Sequence, residues 1–287
     1  MLLTADLFQK LGGCRFLAKR LLESLPLTGT HPGRREGAGL EFQQYRPYAV
    51  GDDLRDLDWR LYARSDSLQV RTHRPEVPGR LAILLDASAS MGYQGQGAPC
   101  TKLQYAALLA ACAAWIARRQ GDQLALFVYQ EELVEGSGTF LEWEGLCRTL
   151  DFVRPAGVAC PRQAWELCTE FLGRRGTALW ISDFWEGEQE LRSLCRGLQD
   201  AGGLRTIQVL DPDEVSLPAC GMRRFQDAEQ PAKTVDALPE SAREDYQARV
   251  EHYRKDLEEL FLSQEIPFQS VTTTEDPAEA IRRLAEG

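Results

Sequence analysis

The sequence is poor in the residues that build metal and redox centres. It holds three histidines, far apart, and its eight cysteines, at 14, 100, 112, 147, 160, 168, 195 and 220, form no Cys-x-x-Cys pair. That leaves no zinc constellation, and the cysteines read as reduced thiols of a cytoplasmic protein. A Gly-x-x-x-x-Gly-Lys-Ser/Thr loop is missing, which excludes a phosphate-binding nucleotide site of that type, and no Gly-x-Ser-x-Gly elbow surrounds a serine. Long apolar runs are missing as well: Ala106 to Ala117 is 12 residues, short of the about 20 that span a bilayer. The opening MLLTADLFQK breaks its apolar stretch at Asp6 and lacks a basic region, so it reads as the start of an amphipathic helix and not as a signal peptide. Positive charge is outnumbered, 33 Lys and Arg against 43 Asp and Glu, for a net charge of -10. Nucleic acid or an anionic membrane would repel such a chain as its main partner, and no membrane insertion is expected.

What is present is a chain of 287 residues, 44% apolar and 26% charged, which suits one large soluble domain with an accessory piece. From residue 79 on, strand and helix signals alternate. Short apolar strands are expected at Leu81 to Leu85, Leu124 to Val128, Ala178 to Ile181, Thr206 to Leu210 and Phe268 to Val271, with an edge strand around Leu133. Helices are expected at Leu103 to Arg119, Leu141 to Phe152, Gln163 to Gly173, Gly187 to Ala201, Ser241 to Ser263 and Pro277 to Ala285. This alternation implies an α/β fold, a doubly wound and mostly parallel sheet covered on both faces, over residues 79–287. The stretch 211–238 is too long for a plain connection and is expected to form a hairpin insertion. Residues 1–78 read as an N-terminal extension packed on the main domain. In it a helix near Ala5 to Ser24 and the linker THPGRREGAG lead into LEFQQYRPYAVGDDLRDLDWRLYARSDSLQVRTHRPEVP. There Leu57, Trp59, Leu61 and Tyr62 alternate with charge and are expected to pack. The Arg/Asp content suits either a solvated run of salt bridges or a recognition surface.

The stretch LAILLDASASM, Leu81 to Met91, ends a buried strand on an acid and two hydroxyls, Asp86, Ser88 and Ser90. In an open parallel sheet ligands bind beyond the carboxyl ends of the strands. Three oxygen side chains at alternate positions of a tight loop suit a hard divalent cation such as Mg2+. ALWISDF places a second carboxylate, Asp183, at another strand end. The alternative is local: the serines cap the following turn and Asp86 bonds backbone amides.

LLDASASM resembles the metal-ion-dependent adhesion site (MIDAS) loop of von Willebrand factor A domains. GLEFQQYRPYAVGDDLRDLDWRLYAR resembles the signature of a bacterial family of unknown function, number 58 in its series, often encoded beside MoxR-type AAA+ ATPases. LDPDEVSLP, FQDAE and IPFQSVTTTEDPAEAI are similar to later landmarks of that family. The resemblance implies an A-like, Rossmann-type fold with metal held by Asp86, Ser88 and Ser90, an aspartate matched by Asp183, and a threonine from a second loop. In RPAGVACP the threonine's position is taken by Val158, which has no oxygen to offer.

The resemblance implies a protein-interaction module, partner or adaptor of a MoxR-type AAA+ ATPase in assembly or maturation of protein complexes, with protein clients, docking through a degenerate adhesion site. One alternative is a metal-free scaffold. Another is a phosphohydrolase with Asp86 as nucleophile, but that chemistry needs a second acid where Ser88 stands and a lysine, and the chain has only five lysines. No catalytic activity is expected.

Overall fold

In the computed structural model, the described residues are 9–11, 42–73, 79–140, 142–173, 176–185, 191–195, 202–217, 223–226, 228, 234–237 and 239–286. The chain divides into two compact units, Pro26–Pro78, and Met1–Leu25 together with Gly79–Gly287.

In the smaller unit, strand β1 (Phe42–Pro47) pairs antiparallel with β2 (Gln69–His73), and helix α1 (Trp59–Ser65) lies between them in sequence. Asp58 caps α1, one carboxylate oxygen accepting from the Arg60 and Leu61 amides at 2.9 and 3.0 Å, while the other accepts from the Tyr45 hydroxyl at 2.8 Å. Arg46 grips Asp52 through two bonds of 2.6 Å, and this hydrogen bonding holds the Asp52 carboxyl down at about 2. Leu57 and Val70 are buried, whereas Trp59 is 59% exposed and Tyr62 is exposed beside it. The expected packing of all four apolar residues fails because the segment turns helical after Leu57, and alternation has no meaning at a period of 3.6.

The larger unit contains β3 (Arg80–Asp86), α2 (Lys102–Gln120), β4 (Gln123–Tyr129), β5 (Gly138–Phe140), α3 (Trp143–Phe152), α4 (Arg162–Leu172), β6 (Gly176–Ser182), β7 (Gly202–Leu210), β8 (Arg223–Gln226), β9 (Thr234–Ala237), α5 (Pro239–Ser263), β10 (Phe268–Thr272) and α6 (Pro277–Glu286). Six of these strands form one sheet in the order β10-β7-β6-β3-β4-β5, parallel except for the antiparallel edge strand β5. This is the doubly wound α/β fold. The edge strand lies at 138–140; around Leu133 there is only an isolated bridge to Tyr129. The turn that brings the chain back spends those residues. In 211–238, β8 and β9 pair antiparallel. The expected N-terminal helix lies mostly outside the described residues, where residues 9 and 10 are helical and Leu11 is fully buried. The helix expected at 187–201 is described, and helical, at 191–195.

The central strands are buried on both faces, which is why they read as nearly unbroken apolar runs. Their side chains alternate between two cores. Leu81, Ile83 and Leu85 share one core with residues of α2, α3 and α6, while Ala82 and Leu84 share the other with residues of α4 and α5. The chain leaves β3 for β4 on one side and returns to β6 on the other, so the switch point of the sheet lies between β3 and β6.

Candidate functional site

Asp86 is the last residue of β3 and Asp183 follows the last residue of β6, the two strands flanking the switch point. The sheet order thus brings Asp86, Ser88, Ser90 and Asp183 together. Ser90 donates to Asp183 Oδ2 at 2.7 Å, and the hydroxyls of Ser88 and Ser90 are 3.1 Å apart. Asp86 Oδ1 accepts from the Ser88 amide at 2.8 Å, and Oδ2 accepts from the Ser182 hydroxyl at 2.7 Å. Asp86 therefore also does the local work of its alternative reading. Ser88 sits at the N-cap of the following 3-10 turn, but its side chain makes no capping bond.

The backbone around the acids is tightly fixed. Ala87 donates to Tyr129 O at 2.9 Å, Ala156 to Ala87 O at 3.0 Å, and Ala89 to Gly157 O at 3.0 Å. Phe184, directly after Asp183, is fully buried with φ at 56°, a left-handed conformation costly for a bulky residue. Its amide donates to Ser182 Oγ at 3.0 Å, its ring meets Trp180 and Phe261 edge-on, and Tyr253 donates to its carbonyl. These contacts hold the sharp turn that aims Asp183 at the serine loop.

Lys102, the first residue of α2, completes the cluster and was not foreseen from the sequence. Its side chain is wholly buried, and its Nζ donates to Asp183 Oδ2 at 2.8 Å and to Glu214 Oε1 at 2.6 Å. Burial alone would lower its pKa, but the charges of Asp183 and Glu214 and its hydrogen bonds to them outweigh that and hold it above the usual lysine range. A readable signal existed: a cation at the N-terminus of a helix opposes the helix dipole and needs acids close by. Glu214 belongs to the helical turn Pro212–Val215, where it closes a capping box with Asp211. Burial pushes its carboxyl up despite Lys102. Asp211, buried, accepts from the Gly95 amide at 2.8 Å, so close that a Cβ on Gly95 would lie 2.3 Å from the other carboxylate oxygen.

Asp86 has no exposed surface, and burial, then the charge of Asp183, pushes its carboxyl up to about 7 against the hydrogen bonds of Ser88 and Ser182. Val158 is 45% exposed, beside the Gly157 carbonyl that fixes the serine loop, and it supplies no oxygen. The residues do not fit a divalent ion as arranged here. Asp183 Oδ2 already takes Ser90 and the Lys102 ammonium, and Mg2+ would demand a fuller set of oxygens at about 2.0–2.1 Å. Among the described residues no group of three or more His, Cys, Asp or Glu is placed to hold a metal, and no helix is long and apolar enough to cross a membrane.

The family model described as "Protein of unknown function DUF58" matches residues 44–256. Uncharacterised proteins of Mycobacterium bovis and Mycobacterium tuberculosis are each 28% identical over 259 residues, 87% of this chain and 80% of theirs. Among solved structures, the conserved hypothetical protein BatB of Bacteroides thetaiotaomicron is 16% identical with a TM-score of 0.46, covering 72% of this chain and 97% of that one. A von Willebrand factor type A protein of Catenulispora acidiphila is 13% identical with a TM-score of 0.36, covering 50% and 35%.

Proposed function

The chain belongs to the DUF58 family of proteins of unknown function, and on that footing we propose that it is a protein-docking module without turnover of its own. It binds a partner over the loops at the carboxyl ends of β3 and β6, and the partner implied by the resemblance in its sequence is a MoxR-type AAA+ ATPase. One observation carries the reading: the polar cluster at the switch point is closed on itself, while Tyr93, Val158 and Trp185, on the loops that build it, are 43%, 45% and 42% exposed. Exposed aromatic side chains around a rigid, charge-paired centre are the composition of a binding hot spot.

Lys102 beside the strand-end carboxylate of Asp183 favours the phosphohydrolase reading, since a lysine could neutralise a transferred phosphate. Against it, Lys102 is engaged by Asp183 and Glu214, and both oxygens of Asp86 accept hydrogen bonds. Nucleophile and ammonium are both committed to the fold.

The test is a binding assay with the purified full chain and MoxR-type AAA+ ATPases of the same organism. Binding is expected, and the double variant Tyr93→Ala, Trp185→Ala should weaken it at least about tenfold, or ~1.4 kcal/mol, with the fold intact by circular dichroism. Failure of every such ATPase to bind would reject the partner. Hydrolysis of a generic phosphate ester that Asp86→Ala abolishes would reject the docking reading itself.

A further inference from the structure

We propose that Lys102 is the resident cation of this site: its ammonium takes the place on Asp183 that a divalent ion would take, and the site works without metal. The lysine is positioned from both sides. A capping box of Thr101 and Gln104 sets the start of α2, and the Lys102 amide donates to Tyr93 O at 3.1 Å, which ties the head of the helix to the loop following the serines. From there the side chain runs inward with no exposed surface, and its Nζ ends between Asp183, at the end of β6, and Glu214, beyond the end of β7.

A buried ammonium is tolerated only where anions and hydrogen-bond acceptors surround it. Here two carboxylates from separate loops converge on it, and Ser90 shares the same oxygen of Asp183. The serine loop is thereby organised around Asp183 and a lysine, as it would be around Asp183 and an ion. Val158 fits this reading: where no metal is bound, the second loop needs no hydroxyl. A divalent ion entering beside Lys102 would meet a fixed positive charge in a poorly solvated place.

The inference goes beyond the docking proposal and stands or falls apart from it, because it is read by metal titration of the full chain with no partner present. Mn2+ titration, followed by calorimetry and by the electron paramagnetic resonance signal of free Mn2+, is made on wild type, Lys102→Ala and Ser90→Ala. Wild type is expected to bind no Mn2+ at millimolar concentration and to melt at one temperature in EDTA and in MgCl2. Lys102→Ala, which leaves Asp183 and Glu214 without their cation, should melt lower, take up one Mn2+, and recover several degrees when Mn2+ or Mg2+ is added. Should the alanine protein not fold, Lys102→Gln, which keeps most of the bulk without the charge, carries the same expectation. Stoichiometric Mn2+ binding by wild type that Ser90→Ala abolishes would overturn the proposal. So would a folded Lys102 variant that binds no Mn2+, because the place would then not be a cation position.

Discussion

Asp86, buried beside Asp183, gives the site a dependence on pH. Its carboxyl is pushed up by burial to about 7 from an ordinary 3.8, so the stability tied to it is fully present below about pH 4 and is lost as pH rises through about 7. Asp86→Asn stays neutral throughout. Its melting temperature relative to wild type should therefore rise between about pH 4 and about pH 7 and level off above that, and a constant difference between pH 4 and pH 7 would count against the assignment. In the smaller unit, Trp59→Ala should change stability by about 0.5 kcal/mol or less, because the ring is largely exposed, whereas Leu57→Ala, at a buried position, should cost about 2–5 kcal/mol by urea unfolding. Asp86, Ser88, Ser90 and Asp183 were legible because strand ends and alternate small hydroxylated residues are local signals. Lys102 offered only the signal of a cation at a helix start, and Glu214 none, since their roles depend on which loops meet across the top of the sheet.

At the level of elements, α2 shows how composition declares packing. Its alanine run is buried on nearly every side, between the sheet and the helices α3 and α6, and small side chains let it approach that closely. Ala110→Leu should therefore destabilise the protein by about 1–3 kcal/mol through overpacking, read as a lower denaturation midpoint at an unchanged denaturant slope. Trp143 adds a polar tie, its indole nitrogen donating to Ala111 O at 3.0 Å. The central strands and long helices were legible because burial on two faces writes continuous apolar runs and amphipathic periods into the sequence. The edge strand was misplaced because β5 is three residues long and pairs on one side only. Such a strand has little pattern to read, and the turn around Leu133 offered a stronger apolar signal.

For the whole molecule, the decisive fact is the sheet order, which no local pattern contains. It follows from which strand edges pair once the helices cover both faces, and it alone puts the ends of β3 and β6 side by side. The bonds that close the site span the chain accordingly: Asp86 to Ser182 across 96 positions, Lys102 to Glu214 across 112, and Gly95 to Asp211 across 116. This has a consequence for synthesis. While β3, α2 and β4 have left the ribosome and β6 and β7 have not, the nascent chain carries the lysine but neither of its acids, and the serine loop has no opposing carboxylate. The buried cluster of Asp183, Lys102 and Glu214 is therefore completed only after the Pro212–Val215 turn emerges. A chain arrested before that turn can begin to build the sheet, but it must hold an uncompensated ammonium at the head of α2 while it does so.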